Sequence, residues 1–160
     1  VSILLRKVCE KNVKFLKRML IPFLFLFLTA CPSVGFLESA MTETVTYDEW
    51  YSSKEEVAEY IYLYEELPPN YLTKNEAREL GWENAKGNLW EVAEGMSIGG
   101  DYFGNREGLL PEEAGRDYYE ADINYEGGYR NAERIVFSND GLIYYTADHY
   151  ESFEQLYGEE

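Results

Sequence analysis

The 160-residue sequence predicts an α+β domain: N-terminal helices packed on one face of an antiparallel β-sheet. Three observations carry this. Between residues 53 and 95, apolar side chains recur at helical spacing behind N-capping signals. After Gly95 the chain breaks into short runs of Ile, Val, Tyr and Phe divided by Gly, Asn and Asp, the texture of strands and turns. The two textures are segregated, which separates α+β from an alternating α/β plan. A chain of this length holds one domain with a core, and 46% hydrophobic residues excludes a disordered body.

The first helix is read from SSKEEVAEYIYLYEEL, with Ser53 as N-cap and Glu56 as its capping-box partner. Val57, Tyr60, Ile61 and Tyr64 give it one apolar face, and Pro68-Pro69-Asn70 is expected to end it. Thr73 and Glu76 in TKNEARELGW form a second capping box, with Gly81 as the C-terminal cap. GNLWEVAEG holds a third, short helix opened by Asn88. SIGGDYF, RDYYEADINY, AERIVFS and GLIYYTAD follow as strands, and Asp140-Gly141 suits a tight hairpin turn.

Charge is distributed as unevenly as texture. Six of the 14 Lys and Arg precede Cys31, with Glu10 the one acid among them. From Cys31 onward eight basic residues face 29 acidic ones, a net charge of −21. Such a body repels nucleic acid at long range unless its cations are gathered in one place. The basic start leads into IPFLFLFLTAC, which has the order of an export signal: charged region, short apolar run, small residues before a cleavage point. Residues 21–28 are too few for a membrane span, which needs about 20 apolar residues. Leu28-Thr29-Ala30-Cys31 resembles a bacterial lipobox, so the expected product is secreted, with a lipid on Cys31 as its only hold on a membrane. An ordinary signal cleaved later, for instance after Ala40, is the alternative, and Val13 or Met19 would make a more compact start. The expected organisation is a signal over 1–31, a tether over 32–50 and a domain over 51–160. Cys9 and Cys31 both fall outside that domain and His149 is its single histidine, so neither a disulfide framework nor a Cys/His metal site is open to it. No metal and no cofactor are expected.

Several blocks carry a resemblance, in order and at matching spacing: LPPNYLTKNEARELGW, SIGGDYFGNREGLLP and YYEADINYEGGYRNAERIVFSNDGLIYYTADHY. They closely resemble the barnase-type, guanyl-specific microbial ribonucleases, without an evident gap over residues 53–153. The resemblance implies the microbial ribonuclease fold and a monomeric enzyme that cleaves single-stranded RNA after guanosine without metal. In that chemistry a carboxylate takes the 2′-hydroxyl proton, the oxygen attacks phosphorus, and a histidine protonates the departing 5′-oxygen. The 2′,3′-cyclic phosphate is then hydrolysed with the two roles exchanged. The resemblance implies Glu120 as general base, His149 as general acid, and Arg130, Arg134 and Lys74 around the scissile phosphate. Phe103, Gly104, Asn105, Arg106 and Glu107 would form the guanine loop, in which backbone N–H groups contact O6 and Glu107 accepts from N1 and N2. Tyr150 would contact substrate. Asp122 would orient the two arginines, Asp101 is a second supporting carboxylate, and Arg116 with Asp140 would form a structural ion pair. A barstar-like acidic inhibitor covering the cations is the protein partner it suggests.

Singly, these residues are ordinary. Glu120 is one of 30 acids, Arg130 and Arg134 would pass as surface charges, and a lone histidine is more often a surface or core residue than a catalyst. Joint occurrence decides: Lys74, Arg106, Arg130 and Arg134 are half of the cations kept in an acidic body. Ordinary pKa values of about 4.3 for a glutamate and about 6.5 for a histidine let a free enzyme hold one ionised and the other protonated at mildly acidic pH. The planar guanidinium fork suits phosphate oxygens. Three departures stand out: the acidity itself, and Gly104 and Gly141 where barnase carries a serine and a tryptophan. A surface-displayed lipoprotein that binds RNA or an inhibitor without catalysis is the alternative, and it predicts decay at Glu120 or His149. A glycosidase using paired carboxylates would leave the Arg–Arg–His group unexplained.

Overall fold

The structure, a computed structural model, describes residues 45–159. The export signal, Cys31 and the first part of the tether lie outside the described residues. Helix α1 spans Lys54–Tyr64, and Ser53 caps it: its Oγ accepts from the Glu56 N–H at 3.4 Å and donates to Glu56 Oε2 at 2.6 Å. The prolines do not end it. Glu65 turns left-handed at φ 57° and its N–H closes on Ile61 O at 2.8 Å, so α1 stops short of Pro68. Helix α2, Lys74–Glu79, starts with both halves of the Thr73–Glu76 capping box in place. Its end is a Schellman motif: Gly81 at φ 100° sends its N–H to Arg78 O while Trp82 N–H reaches back to Ala77 O, both at 3.0 Å. Helix α3 is the single turn Leu89–Val92.

Six strands form one sheet in sequence order. They are β1 (Tyr71–Leu72), β2 (Ser97–Phe103), β3 (Tyr118–Asp122), β4 (Arg134–Ser138), β5 (Ile143–Thr146) and β6 (Glu154–Tyr157). β1 pairs parallel to β2 and all other neighbours are antiparallel. The α+β expectation holds, and β4 turns into β5 at the expected Asp140-Gly141, where Ser138 N–H donates to Leu142 O at 2.8 Å. Neither β1 nor β6 is legible in the sequence. β1 has only two residues, and β6 is the edge strand EQLY, whose charged and polar half hides it.

Composition groups residues 45–50 with the tether, yet they pack on α1. Val45 is buried, Tyr47 lies edge-on to Tyr64 at 5.1 Å, and the Asp48 N–H donates to Tyr60 Oη at 3.2 Å. The aromatic face of α1 supplies the contact surface that composition alone does not register.

The pleat sorts side chains between two faces. Ala121, Ile135 and Ile143 point to the helices, where they join Val57, Ala58 and Ile61 of α1 in one core cluster. Ala77, Trp82, Leu89 and Ile98 make a second beneath α2 and α3. One residue along each strand, the opposite face carries Asp101, Glu120 and Val136 in one cross-strand row and Asp122, Arg134 and Thr146 in the next. The polar residues therefore stand on a rigid sheet whose reverse side is buried, which fixes their spacing.

Candidate active site

Glu120 sits mid-strand in β3 and is 6% exposed. Its Oε1 accepts from Lys74 Nζ at 2.5 Å, and its Oε2 accepts from the Tyr150 hydroxyl. Arg130 Nη2 lies 3.8 Å from Oε1. Burial alone pushes the carboxyl pKa up, but the hydrogen bonds from Lys74 and Tyr150 and the charges of Lys74 and Arg130 outweigh it, leaving Glu120 below the usual carboxylate value. Lys74 is at the first turn of α2, and its backbone N–H donates to Asp101 Oδ2 at 2.9 Å. Asp101 thus fixes the start of the helix that brings the ammonium to Glu120.

Two residues along β3, Asp122 is fully buried and holds both arginines. Arg130 donates to it twice, Nε to Oδ2 at 2.7 Å and Nη2 to Oδ1 at 2.5 Å. Arg134, 2% exposed, brings Nε within 2.9 Å of Oδ1, close enough for an ion pair but off line for a hydrogen bond. Its Nη1 is tied to Asn131 Oδ1 at 3.1 Å and Glu133 O at 2.6 Å. Burial works against the Arg130 charge, and the Asp122 carboxylate more than offsets it, holding its pKa above the ordinary value. The expected orienting role of Asp122 has this geometry behind it.

His149 is exposed, on the turn after β5. It and Tyr150 are consecutive non-glycine residues in the left-handed region, at φ 59° and 74°, a conformation that costs of order 1–3 kcal/mol each. Asp148 supports them. Its carboxylate accepts from Thr146 Oγ1 at 2.8 Å, Ser152 Oγ at 2.6 Å and the N–H groups of Glu151 and Ser152, both at 3.0 Å. Those bonds, the Ser152 hydroxyl first among them, bring the Asp148 pKa down to about 2. Thr146 Oγ1 in turn accepts the Tyr150 N–H at 3.0 Å. Asp148 lies outside the residues the resemblance singles out, although an Asp followed by Ser at i+4 is a readable local capping pattern.

Phe103 packs tilted against Tyr150 at 5.1 Å and meets Phe153 at 6.2 Å, so the expected guanine loop leans on the histidine turn. Asn105 is buried and left-handed, and its side chain spans the loop: Nδ2 donates to Leu110 O at 2.9 Å, and Oδ1 accepts the Leu110 N–H at 3.1 Å. Its side chain is therefore a staple of the loop. Arg116 and Asp140 form the expected ion pair at 2.8 Å.

Two open clefts result. One, of about 430 Å³, lies between Lys74, Glu120 and the loop residues Gly104, Arg106 and Glu107. The other, of about 440 Å³, is lined by Arg130, Arg134 and His149 with Tyr129 and Asn84. The Arg130–Glu120 contact links them, so the Glu120 carboxylate and the His149 imidazole stand in adjoining clefts with guanidinium groups between.

Fold and site together define a phosphodiester-directed enzyme built on a helix-backed antiparallel sheet. The chain belongs to the ribonuclease family, whose profile matches residues 54–157, and its fold is the α+β fold of the microbial ribonucleases. It is 58% identical over 100 residues to a ribonuclease of Heyndrickxia coagulans, a match covering 62% of this chain and 92% of that one. The same identity over 100 residues relates it to a ribonuclease of Bacillus intermedius, covering 62% of each. Guanyl-specific ribonuclease St of Saccharopolyspora erythraea is 46% identical over 55 residues, 34% of this chain and 54% of that one.

Proposed function

We propose that the protein is a guanine-preferring endoribonuclease that cleaves single-stranded RNA by metal-free transesterification and then hydrolyses the cyclic product. The observation that carries this is the buried Glu120, kept ionised by Lys74 and Tyr150, beside a cleft that holds Arg130, Arg134 and His149. Glu120 takes the proton from the guanosine 2′-hydroxyl, and that oxygen attacks phosphorus. The bond from phosphorus to the 5′-oxygen breaks, and His149 delivers a proton to the departing oxygen. In the second stage His149 removes a proton from water, the hydroxide opens the ring, and Glu120 returns its proton to the 2′-oxygen.

Charge that builds on the phosphorane is met by Arg130 and Arg134, prepositioned by Asp122 so that little reorganisation is needed at the moment of reaction. Lys74, resting on Glu120 in the free protein, is a short side-chain rotation from a phosphate in the same cleft. Glu107 and the 103–107 backbone read guanine, because a purine without N1–H and N2–H donors leaves that carboxylate poorly paired. The guanyl-specific relative is consistent with this reading.

The deciding experiment incubates the purified domain with GpA and ApA dinucleotides in chelator. Cleavage of GpA well above ApA is expected. Equal rates would remove the guanine preference, and loss of all cleavage in chelator would remove the mechanism. Secretion, with Cys31 as a lipid anchor, is the accompanying proposal for residues 1–31, and release of a Cys31→Ser variant from the membrane fraction tests it. A barstar-like inhibitor fits the same cation cluster, and titration of activity with such a protein tests that.

A further inference from the structure

A third cleft, of about 240 Å³, lies beside the two that the proposed reaction uses, and the reaction leaves it idle. It shares Tyr102, Phe103, Gly104 and Asn105 with the guanine-side cleft and no residue with the cleft of Arg130, Arg134 and His149. The order of the three is therefore fixed: idle cleft, guanine loop, leaving-group cleft. RNA is directional. If guanosine sits in the loop with its 3′-phosphate toward Glu120 and His149, its 5′ neighbour emerges on the side of the idle cleft.

The lining suits a base better than a phosphate. Tyr102, on β2, is 66% exposed, its ring perpendicular to that of Tyr119 with centroids 6.5 Å apart. Arg116 presents a guanidinium held in place by Asp140 at 2.8 Å and by Pro111 O at 3.1 Å. An aromatic ring and an immobilised guanidinium plane are the two surfaces on which unstacked bases rest. Glu112 and Glu113 complete the rim and accept hydrogen bonds without donating any. They repel a backbone phosphate, but they suit the amino group of cytosine or adenine and are poorly matched to uracil, which exposes a carbonyl at the same position.

We propose that this cleft is a subsite for the nucleotide 5′ to guanosine, stacking its base on Tyr102 and Arg116 and favouring amino-bearing bases through Glu112 and Glu113. The proposal rests on the guanine-directed ribonuclease reading and extends it from one base to two.

The test compares kcat/KM for CpGpA, UpGpA and pGpA with that for GpA. The readout is the ratio to GpA, which cancels any effect of a variant on guanine itself. CpGpA is expected to exceed GpA by roughly fivefold to tenfold, at the low end of base–aromatic stacking, with UpGpA gaining less and pGpA nothing. Tyr102→Ala should bring the CpGpA ratio to about one, and Glu112→Gln with Glu113→Gln should erase the difference between cytosine and uracil. A ratio near one in the unaltered protein, a ratio that survives Tyr102→Ala, or an equal gain from the bare 5′-phosphate of pGpA would each overturn the subsite. Failure to cleave GpA at all would instead strike the underlying ribonuclease reading, so the two failures are distinguishable.

Discussion

Asp122 is the residue whose removal the structure prices most directly. Its carboxylate is fully buried and faces two guanidinium groups, Arg130 through two hydrogen bonds and Arg134 through an ion pair at 2.9 Å. Asp122→Ala leaves Arg134, 2% exposed, without its ion-pair partner and Arg130 with the 3.8 Å contact to Glu120 alone. Breaking a buried pair from one side costs about 3–5 kcal/mol. For a domain of about 100 residues each kcal/mol lowers Tm by about 4 °C or somewhat more, so a fall of roughly 12–20 °C is expected. Activity should fall as well, by about a hundredfold, because the arginines lose their orientation at the phosphorane. The variant should also gain affinity for inorganic phosphate, since losing one carboxylate leaves the cluster one charge more positive. At a hundred times Kd, a ligand that binds only the folded state returns about 2.7 kcal/mol. Urea unfolding with and without phosphate reads all of this: a large loss for Asp122→Ala, partly restored by phosphate, and a smaller restoration in the unaltered protein. A loss below about 1 kcal/mol, or equal phosphate stabilisation of both proteins, would refute the account of Asp122 as the counter-ion that holds the arginines.

The other predictions concern the proton chemistry and its surroundings. His149→Ala should lower RNA cleavage by about 10²–10⁴-fold yet spare a nitrophenyl phosphodiester, whose leaving group needs no acid, whereas Glu120→Ala should harm both; equal harm from His149→Ala would reverse its assignment. Because Lys74 and Tyr150 hold the Glu120 pKa down, the acid limb of kcat/KM should lie below the ordinary carboxylate range, and Lys74→Met should move that limb to higher pH. A limb that stays in place would show that Lys74 does not tune the base. Asp148→Ala should relax the left-handed His149–Tyr150 turn, lowering kcat about tenfold or more, and by freeing Tyr150 from Glu120 it too should raise the acid limb; an unchanged pH profile would make Asp148 a merely local support. RNA cleavage should peak at appreciable ionic strength, and a rate falling monotonically from low salt would contradict the weight given to the net charge.

The candidate site residues come from the family resemblance, and the strand register is compatible with them: Glu120 and Asp122 share a face of β3, and Arg134 meets Asp122 across the ladder. The capping box at Thr73 likewise located Lys74 at the start of α2. What stayed hidden depends on contacts distant in sequence or on turn geometry. Nothing local tells that Tyr150 donates to Glu120, 30 residues away, or that Asn105 spends its side chain on Leu110 rather than on a ligand. α1 ends before the prolines because Glu65 adopts a left-handed conformation that sequence rules reserve mainly for glycine and asparagine. The packing of residues 45–50 is not legible locally because six residues show no period, and the aromatic partners of Tyr47 and Asp48 lie on α1.

The acidity and the proposed chemistry are reconciled by where the eight cations of the body stand. Lys54 pairs with Glu55 and Glu154, Lys86 with Glu83 and Arg116 with Asp140, while Arg78 lies over the Trp82 ring at 5.9 Å. Outside the two clefts of the proposed reaction, positive charge is thus cancelled locally or used in packing, and the remaining surface projects the negative field of a body at −21. Lys74, Arg106, Arg130 and Arg134 gather at the clefts instead. At about 0.1 M salt the Debye length is about 10 Å, so the far acids are largely screened from an approaching strand while the cations beside the phosphate act inside that distance. Arg130 and Arg134, being mostly buried, are screened least. Salt therefore removes the repulsion before it removes the grip, and a protein this acidic can still hold a polyanion at one place on its surface.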